Sequence, residues 1–402
     1  MKRKLNILAG DTALWVIFFL LSGISLIAVY STIGLSAISD LHATPMAIFF
    51  KHLGIVVATY VAIIIISHIN YRYFSKMAKW VFYISLAMLA VVLIMGTERW
   101  LVIPKVGRFQ PSEIAKVALI IFVARTITLN REKFGDNRTF YWLLVPVAFT
   151  CALVMPENLS TAVLIFLSCY FMLLFGGVNK KMWWRGMGII LAVAVVGFII
   201  LYLVGDKMDM ARTSTWGHRL QAWLHPQPDE LTQENMARMA VARGGFFGTG
   251  IGTTIHGRLM TQAHNDFIYA IIIEEAGLLS AILIFLLYAL FYFRCIRIAT
   301  RCNGLFGSLC VAGLGTAIFL QAIVNMSVAV GVLPVTGQTL PFISYGGTAY
   351  LFLGCGVGVI QAVAADNKRQ ELLAKKAEAA QAEADTETPS PESLTSDSQK
   401  DN

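Results

Sequence analysis

Charge is what this sequence has least of. Only 14% of its 402 residues are Asp, Glu, Lys or Arg, against 57% hydrophobic, whereas a soluble domain carries about 25% charged residues. Water is therefore not its main solvent. Cysteine is scarce and poorly placed for a disulfide framework or a zinc site. The six, at 151, 169, 295, 302, 310 and 355, fall in or beside apolar runs, and none lies in the long polar loop at 205–266. No Gly-x-x-x-x-Gly-Lys-Ser/Thr run occurs, so nucleotide hydrolysis is not expected and any driving energy arrives with the substrate. No nucleic-acid motif accompanies the formal charge of +8, which is the usual result of basic cytoplasmic loops in a membrane protein. No small-residue cleavage site follows Lys2, Arg3 and Lys4, and the full-length apolar run from Ala13 reads as a retained first helix.

What is present in quantity is long apolar sequence. Such runs occupy 13–33, 49–69, 78–96, 112–129, 140–155, 159–176, 185–204, 267–293, 306–331 and 348–365, and ~20 apolar residues suffice for one crossing. The fold class expected is an all-α polytopic membrane protein with about ten transmembrane helices. One membrane domain spans 1–365, and a long extracytoplasmic loop at 205–266 lies between the seventh and eighth helices. With a cytoplasmic N-terminus, every short inner loop is basic: Arg72, Lys76 and Lys79; Arg125, Arg131, Lys133 and Arg138; Lys180, Lys181 and Arg185; Arg294, Arg297 and Arg301. The outer stretches at 34–48, 156–158 and 332–347 contain no Lys or Arg, so both termini are assigned to the cytoplasm. The tail 366–402 opens as an Ala, Lys and Glu helix-like stretch and ends in a Pro/Ser/Thr/Glu composition that cannot bury a core, so its end is expected to be disordered.

Two outer segments break the charge rule. One holds Arg99, Lys105 and Arg108; the other holds Arg212, Arg219, Arg238, Arg243 and Arg258. Long loops translocate regardless of charge, which accounts for the second more readily than for the first.

Ionisable groups inside the bilayer cost ~2.5–3.5 kcal/mol each on insertion scales and are functional candidates by default. Glu113 and Lys116, three apart, share one face of the fourth helix, with Pro111 in its first turn and Ser112 a candidate cap. They read either as a structural ion pair or as site residues. Ala263-His264-Asn265-Asp266-Phe267 closes the long loop, so Asp266 is either a general base at the membrane surface or a cap of the eighth helix. Glu274 and Glu275 lie ~12 Å deeper and, being like charges, require partners, with Lys116 or an arginine as candidates. The run Gly244 to Gly252 beside Arg243 is either an anion-binding nest or a flexible turn. Gly331 to Gly347 is uncharged and full of helix breakers, and unwound backbone between two spans must line a polar cavity or be buried in protein. Gln321 and Asn325, four apart on the preceding helix, present amides to one face, for that cavity or for a neighbouring helix.

Five motifs in order carry a family resemblance: Arg99-Trp100; Phe109 to Lys116; Gly244 to Gly252; Ala263 to Phe267 with Glu274-Glu275-Ala276-Gly277; and Leu333-Pro334 through Ser344-Tyr345-Gly346-Gly347. The chain resembles the SEDS proteins (shape, elongation, division and sporulation) over nearly the whole membrane domain. The resemblance implies a GT-C-like ten-helix fold and a glycosyltransferase that polymerises lipid II, with an aspartate at the position of Asp266 required. It also implies a class B penicillin-binding transpeptidase as partner, together with other membrane proteins of the division complex at the septum of a bacterial inner membrane. Asp266 is then the base. Arg99, Lys105, Lys116, Arg219 and Arg243 are cation candidates for the pyrophosphate, and Glu113, Glu275 and Ser344 are further substrate-binding candidates. No ligand cluster for a divalent cation such as Mg or Mn has recognisable spacing, so that cofactor remains an open alternative. Pro-Val-Thr-Gly at 334–337 and the long polar tail look more like the division branch than the elongation branch. Where many members read Pro-Asp-Leu-Gly-Thr, this chain reads Pro156-Glu157-Asn158-Leu159-Ser160-Thr161. A lipid II flippase is the rival reading, for which a base at Asp266 has no use.

Overall fold

The computed structural model describes residues 8–32, 44–95, 101–103, 107–133, 137–204, 213–225, 232–260 and 263–387. Each of the ten apolar runs forms a helix: α1 (Thr12–Thr32), α2 (Pro45–Ser67), α3 (Arg72–Met95), α4 (Pro111–Leu129), α5 (Asn137–Val154), α6 (Leu159–Phe175) and α7 (Lys180–Val204). After three short helices come α11 (Ile268–Thr300), α12 (Leu305–Ala329) and α13 (Thr348–Glu387). The short ones are α8 (Thr213–Leu224), α9 (Gln233–Gly244) and α10 (His256–Leu259). Seven of the helices are long and apolar enough to cross a membrane, and α5 and α6 are shorter apolar ones. α4 carries three charged residues, Glu113, Lys116 and Arg125, in an otherwise uncharged sequence. Exposed Ile189, Leu191, Val193 and Val196 on α7 fit a helix bathed in lipid.

Small residues set the helix contacts, as expected where lipid is as apolar as the core. Gly354 and Gly358 on α13 face α2: a Cβ on Gly354 would lie 2.1 Å from Thr59 Cγ2, and one on Gly358 2.8 Å from Ile66 Cβ. α12 sits in the middle of the bundle, buried along most of its length, with Gly313 closed against Met172 of α6. Asn158 caps α6, its side chain accepting the Thr161 N–H at 3.1 Å. An amide thus does there what an aspartate would do for a helix N-terminus.

Three features depart from the sequence reading. A two-stranded antiparallel hairpin, β1 (Leu101–Ile103) with β2 (Gly107–Phe109), pairs Val102 with Arg108 ahead of α4; runs of three residues carry too little alternation to be read as strands. α4 begins at Pro111 with Gln110 at the cap position, so Ser112 lies inside the helix and does not cap it. α11 is broken at Gly277, whose φ of 75° and ψ of −179° leave the helical region. The helix-like start of the tail is borne out, because α13 continues past 365 to Glu387.

Candidate functional site

The site is built where α11 begins. Asp266 precedes the helix and is half-buried, and the cap position falls on Phe267, which makes no side-chain cap bond. The backbone carrying Asp266 is held from two sides. Asn325 Nδ2 on α12 donates to the Asp266 carbonyl at 2.9 Å. From the 331–347 segment, Ser344 Oγ donates to the Asn265 carbonyl at 2.6 Å and the Tyr345 N–H to the His264 carbonyl at 2.9 Å. Three successive carbonyls are thus fixed, and with them the position of the Asp266 backbone from which its carboxylate projects. Ser344 also accepts the Leu340 N–H at 2.8 Å, and Phe342 adopts a positive φ of 62°, a conformation uncommon for a bulky residue.

The polar face of α12 ties this layer to α4. Lys116 Nζ donates to Glu113 Oε2 at 2.8 Å and to Gln321 Oε1 at 2.7 Å, while Gln321 Nε2 donates to the Thr339 carbonyl at 3.0 Å. One turn along, Asn325 Nδ2 also reaches the Gln338 carbonyl at 2.6 Å, and Gln338 Nε2 donates to Thr161 Oγ1 at 2.7 Å. Glu113, Lys116, Gln321, Asn325 and Gln338 are all buried. The Gln338, Thr339 and Leu340 backbone groups of the unwound segment therefore find their partners inside protein. A chain of hydrogen bonds runs from the Glu113–Lys116 pair through the unwound segment to the backbone of Asp266.

Glu274 and Glu275 have separate partners, neither of them Lys116. Glu274 is fully buried and accepts from Arg243 Nη1 at 2.7 Å, Thr254 Oγ1 at 2.5 Å and the Ile255 N–H at 3.2 Å, with His256 Nδ1 at 2.9 Å. Glu275 accepts from Ser31 of α1 and from the Gly252 and Thr254 N–H groups at 3.1 and 3.3 Å. The glycine-rich run does bind an anion, but that anion is the chain's own carboxylate. Its glycines allow backbone to lie on backbone: a Cβ on Gly248 would sit 2.2 Å from the Glu275 carbonyl, and one on Gly277 2.3 Å from the Phe246 carbonyl.

α8 and α9 reach the unwound segment from outside the bundle. Arg219 Nη1 donates to the Val335 carbonyl at 3.4 Å and Trp223 Nε1 to the Gly331 carbonyl at 3.1 Å. Burial lifts the Glu234 carboxyl above the ordinary range, and Arg238 and Arg219 pull it partly back. Among the described residues no three His, Cys, Asp or Glu side chains converge as metal ligands.

The family described as "Cell cycle protein", FtsW, RodA and SpoVE, matches residues 11–369. The chain belongs to this family. Its relatives include a "Probable peptidoglycan glycosyltransferase FtsW" of Geobacter sp. (strain M18), 32% identical over 73% of this chain and 80% of the relative. Another is the "Peptidoglycan glycosyltransferase MrdB" of Escherichia coli K12, 29% identical over 81% and 87%. Among solved structures, RodA of Thermus thermophilus superposes with a TM-score of 0.63 at 21% identity, covering 90% of this chain and 98% of that one. A chain from a peptidoglycan synthase complex, in a study of how polymerization and crosslinking are coordinated, gives 0.68 at 22% identity, covering 90% and 99%. These likenesses establish the fold.

Within this family member, the candidates singled out from sequence fall into three groups. Asp266, Ser344, Glu113 and Lys116 belong to one bonded layer, and Arg219 touches its outer edge. Arg243 and Glu275 belong to the neighbouring loop clamp. Arg99 and Lys105 lie outside the described residues. Sequence reasoning did not single out Thr161, Gln338, Ser31, Thr254 or His256. Thr161 and Gln338 stand within motifs, but hydroxyls and amides are common in helices and loops and acquire meaning only from what they face.

Proposed function

We propose that this chain is a peptidoglycan glycosyltransferase that polymerises lipid II into glycan strands and releases undecaprenyl pyrophosphate, with Asp266 as general base. The observation that carries the reading is the clamp on residues 264–266: Asn325, Ser344 and the Tyr345 N–H hold three consecutive carbonyls behind a half-buried carboxylate. Such preorganisation is what proton transfer in a transition state requires. Family membership and the names of the relatives support the reaction class.

In the reaction, the acceptor sugar's 4-hydroxyl oxygen forms a bond to the donor's anomeric carbon as the bond from that carbon to the pyrophosphate oxygen breaks. The hydroxyl proton passes to the Asp266 carboxylate, and the electron pair leaves with the pyrophosphate. A single displacement inverts the anomeric centre and needs no covalent enzyme intermediate. Cations stabilise the charge developing on the leaving group. Lys116 and Arg219 are assigned to this task, with Arg243, Arg99 and Lys105 as further candidates, while Glu113 holds Lys116 in place and Ser344 positions the base.

The Pro-Val-Thr-Gly form at 334–337 and the long polar tail favour a division role of the FtsW type over a RodA-type elongation role. The partner would be a class B penicillin-binding transpeptidase, consistent with a structural neighbour drawn from a peptidoglycan synthase complex. The protein would then work at the septum as a multi-pass membrane protein with both termini cytoplasmic.

The test supplies labelled lipid II to the protein purified with its transpeptidase, comparing wild type with Asp266→Ala. Polymer from wild type and none from a folded, partner-bound variant supports the reading. Polymer from both shows that the base lies elsewhere. If neither makes polymer while labelled lipid II crosses a vesicle membrane, the chain is a transporter.

A further inference from the structure

The opposite end of the bundle holds a cavity of about 440 Å3 between the start of α1, the end of α11 and the middle of α13. The end of α1 that touches Glu275 is Ser31, whereas the cavity takes Gly10 to Ala13, so this cavity has no part in the chemistry described above. Its walls carry Arg294, Arg297, Arg301 and Lys368 against only two carboxylates, Asp11 and Glu371. One carboxylate is already committed: Asp11 pairs with Arg294 and accepts the Leu14 N–H at 3.0 Å. Arg297, Arg301 and Lys368 form no salt bridge among the described residues. Three exposed cations therefore surround a concave surface with one uncommitted carboxylate among them.

What leads to the cavity is equally informative. Leu286, Leu290 and Phe293 on α11 are about half-exposed, and at spacings of four and three they share a helix face that continues four residues on to Arg297 and then to Arg301. The stripe is apolar along the span and cationic where the helix leaves it. That is the order of an acyl chain and its phosphate. Arginine suits the second part because its planar fork meets two phosphate oxygens at once.

We propose that this cavity is a binding site for the phosphate of an anionic phospholipid head group, with Arg297, Arg301 and Lys368 as its ligands and the Leu286–Leu290–Phe293 stripe as the bed for an acyl chain. Arg294 is held by Asp11 and shapes the wall.

The protein is reconstituted in phosphatidylcholine nanodiscs doped with phosphatidylglycerol, and retained lipids are counted by native mass spectrometry. Wild type is expected to retain phosphatidylglycerol. Arg297→Gln/Arg301→Gln/Lys368→Gln should lose apparent affinity by on the order of a hundredfold, roughly fivefold for each charge near the surface. A control triple, Arg72→Gln/Lys76→Gln/Lys79→Gln, removes exposed cations at the same end but away from the cavity, and should retain the lipid. If both triples lose it equally, general surface charge explains the binding and the site is overturned; equal retention by wild type and the cavity triple overturns it as well. The single variant Arg297→Glu gives the same readout with less change to the surface. In pure phosphatidylcholine discs, inorganic phosphate is the competing probe. Its binding to the same three residues, with no gain from phosphatidylglycerol, would overturn the lipid assignment in favour of a soluble phosphate.

Discussion

Removing one member of the Glu113–Lys116 pair separates a structural ion pair from a working one. Both side chains are almost wholly buried, at 6% and 3% exposure, and meet at 2.8 Å. Glu113→Gln keeps the shape and an amide oxygen that can accept from Lys116, but leaves the buried ammonium bonded to two neutral amides with no counter-charge beside it. An uncompensated buried charge costs about 3–5 kcal/mol, a large part of the ~5–15 kcal/mol that holds a domain folded. Replacing the whole pair, Glu113→Leu/Lys116→Met, removes the charge and its desolvation together, which is often close to neutral. What remains is the loss of a donor to Gln321 Oε1, about 1–3 kcal/mol. The expected order of stability in detergent, followed by denaturant unfolding, is therefore wild type, then the double variant, then Glu113→Gln. Polymerisation of labelled lipid II then decides the role of Lys116. Under the proposed mechanism the double variant is folded but slow, by at least about a hundredfold for a lost transition-state cation. A double variant that is both stable and fully active would refute the assignment of Lys116 to the leaving group, and a Glu113→Gln variant as stable as wild type would refute the burial argument.

Other consequences follow from the same contacts. Asn325→Ala removes the donor to the Asp266 and Gln338 carbonyls and should lower the polymerisation rate about tenfold or more with lipid II binding little changed, measured as separate kcat and KM. Gly248→Ala places a methyl group 2.2 Å from the Glu275 carbonyl at a φ of +80°; it should destabilise by about 2 kcal/mol or more, read from the unfolding midpoint, whereas Gly252→Ala, with open space around it, should cost less. Glu234 titrates above its ordinary range in the folded protein because it is buried, so its contribution to stability is present at low pH and is lost as pH rises through the folded value. Glu234→Gln should therefore raise the unfolding midpoint at pH 7, and the gain should vanish below about pH 4, where an unfolded Glu is protonated too. A gain that persists at pH 3 would contradict that cause.

The helices were legible because lipid makes the demand simple. Ten apolar runs became ten helices. The site was legible in part, for the same reason: charges at Glu113, Lys116, Glu274 and Glu275 are costly enough to be noticed in an apolar sequence. The Glu113–Lys116 pair was legible from its spacing, but the partners of the adjacent glutamates were not. Lys116 or an arginine was expected there, and the fold shows Lys116 turned to Glu113 and Gln321 and Arg243 to Glu274. The break at Gly277 was hidden as well, because Glu274-Glu275-Ala276-Gly277-Leu278 reads locally as a helix with one glycine in it. Its cause is distant in sequence: the Phe246 to Gly248 backbone lies where the Gly277 side chain would be.

Adjacent glutamates in an apolar helix pose an electrostatic problem, and its solution bears on how the proposed enzyme can use its arginines. Glu274 takes the charged partner, Arg243, together with His256, whereas Glu275 takes only neutral donors, a serine hydroxyl and two backbone N–H groups. Neutral donors stabilise a carboxylate without introducing a second cation that substrate could capture. Arg243 differs: its side chain is 34% exposed while Glu274 is fully buried, so a pyrophosphate reaching Arg243 must share the guanidinium with Glu274 or draw it away. Drawing it away would strand a buried carboxylate at a cost of several kcal/mol. Sharing is feasible, because one guanidinium nitrogen serves Glu274 and the fork has others to offer. Under the proposed mechanism Arg243 would therefore act as a cation of reduced effective charge, its guanidinium shared with Glu274, and Lys116, paired with Glu113, would be subject to the same reduction.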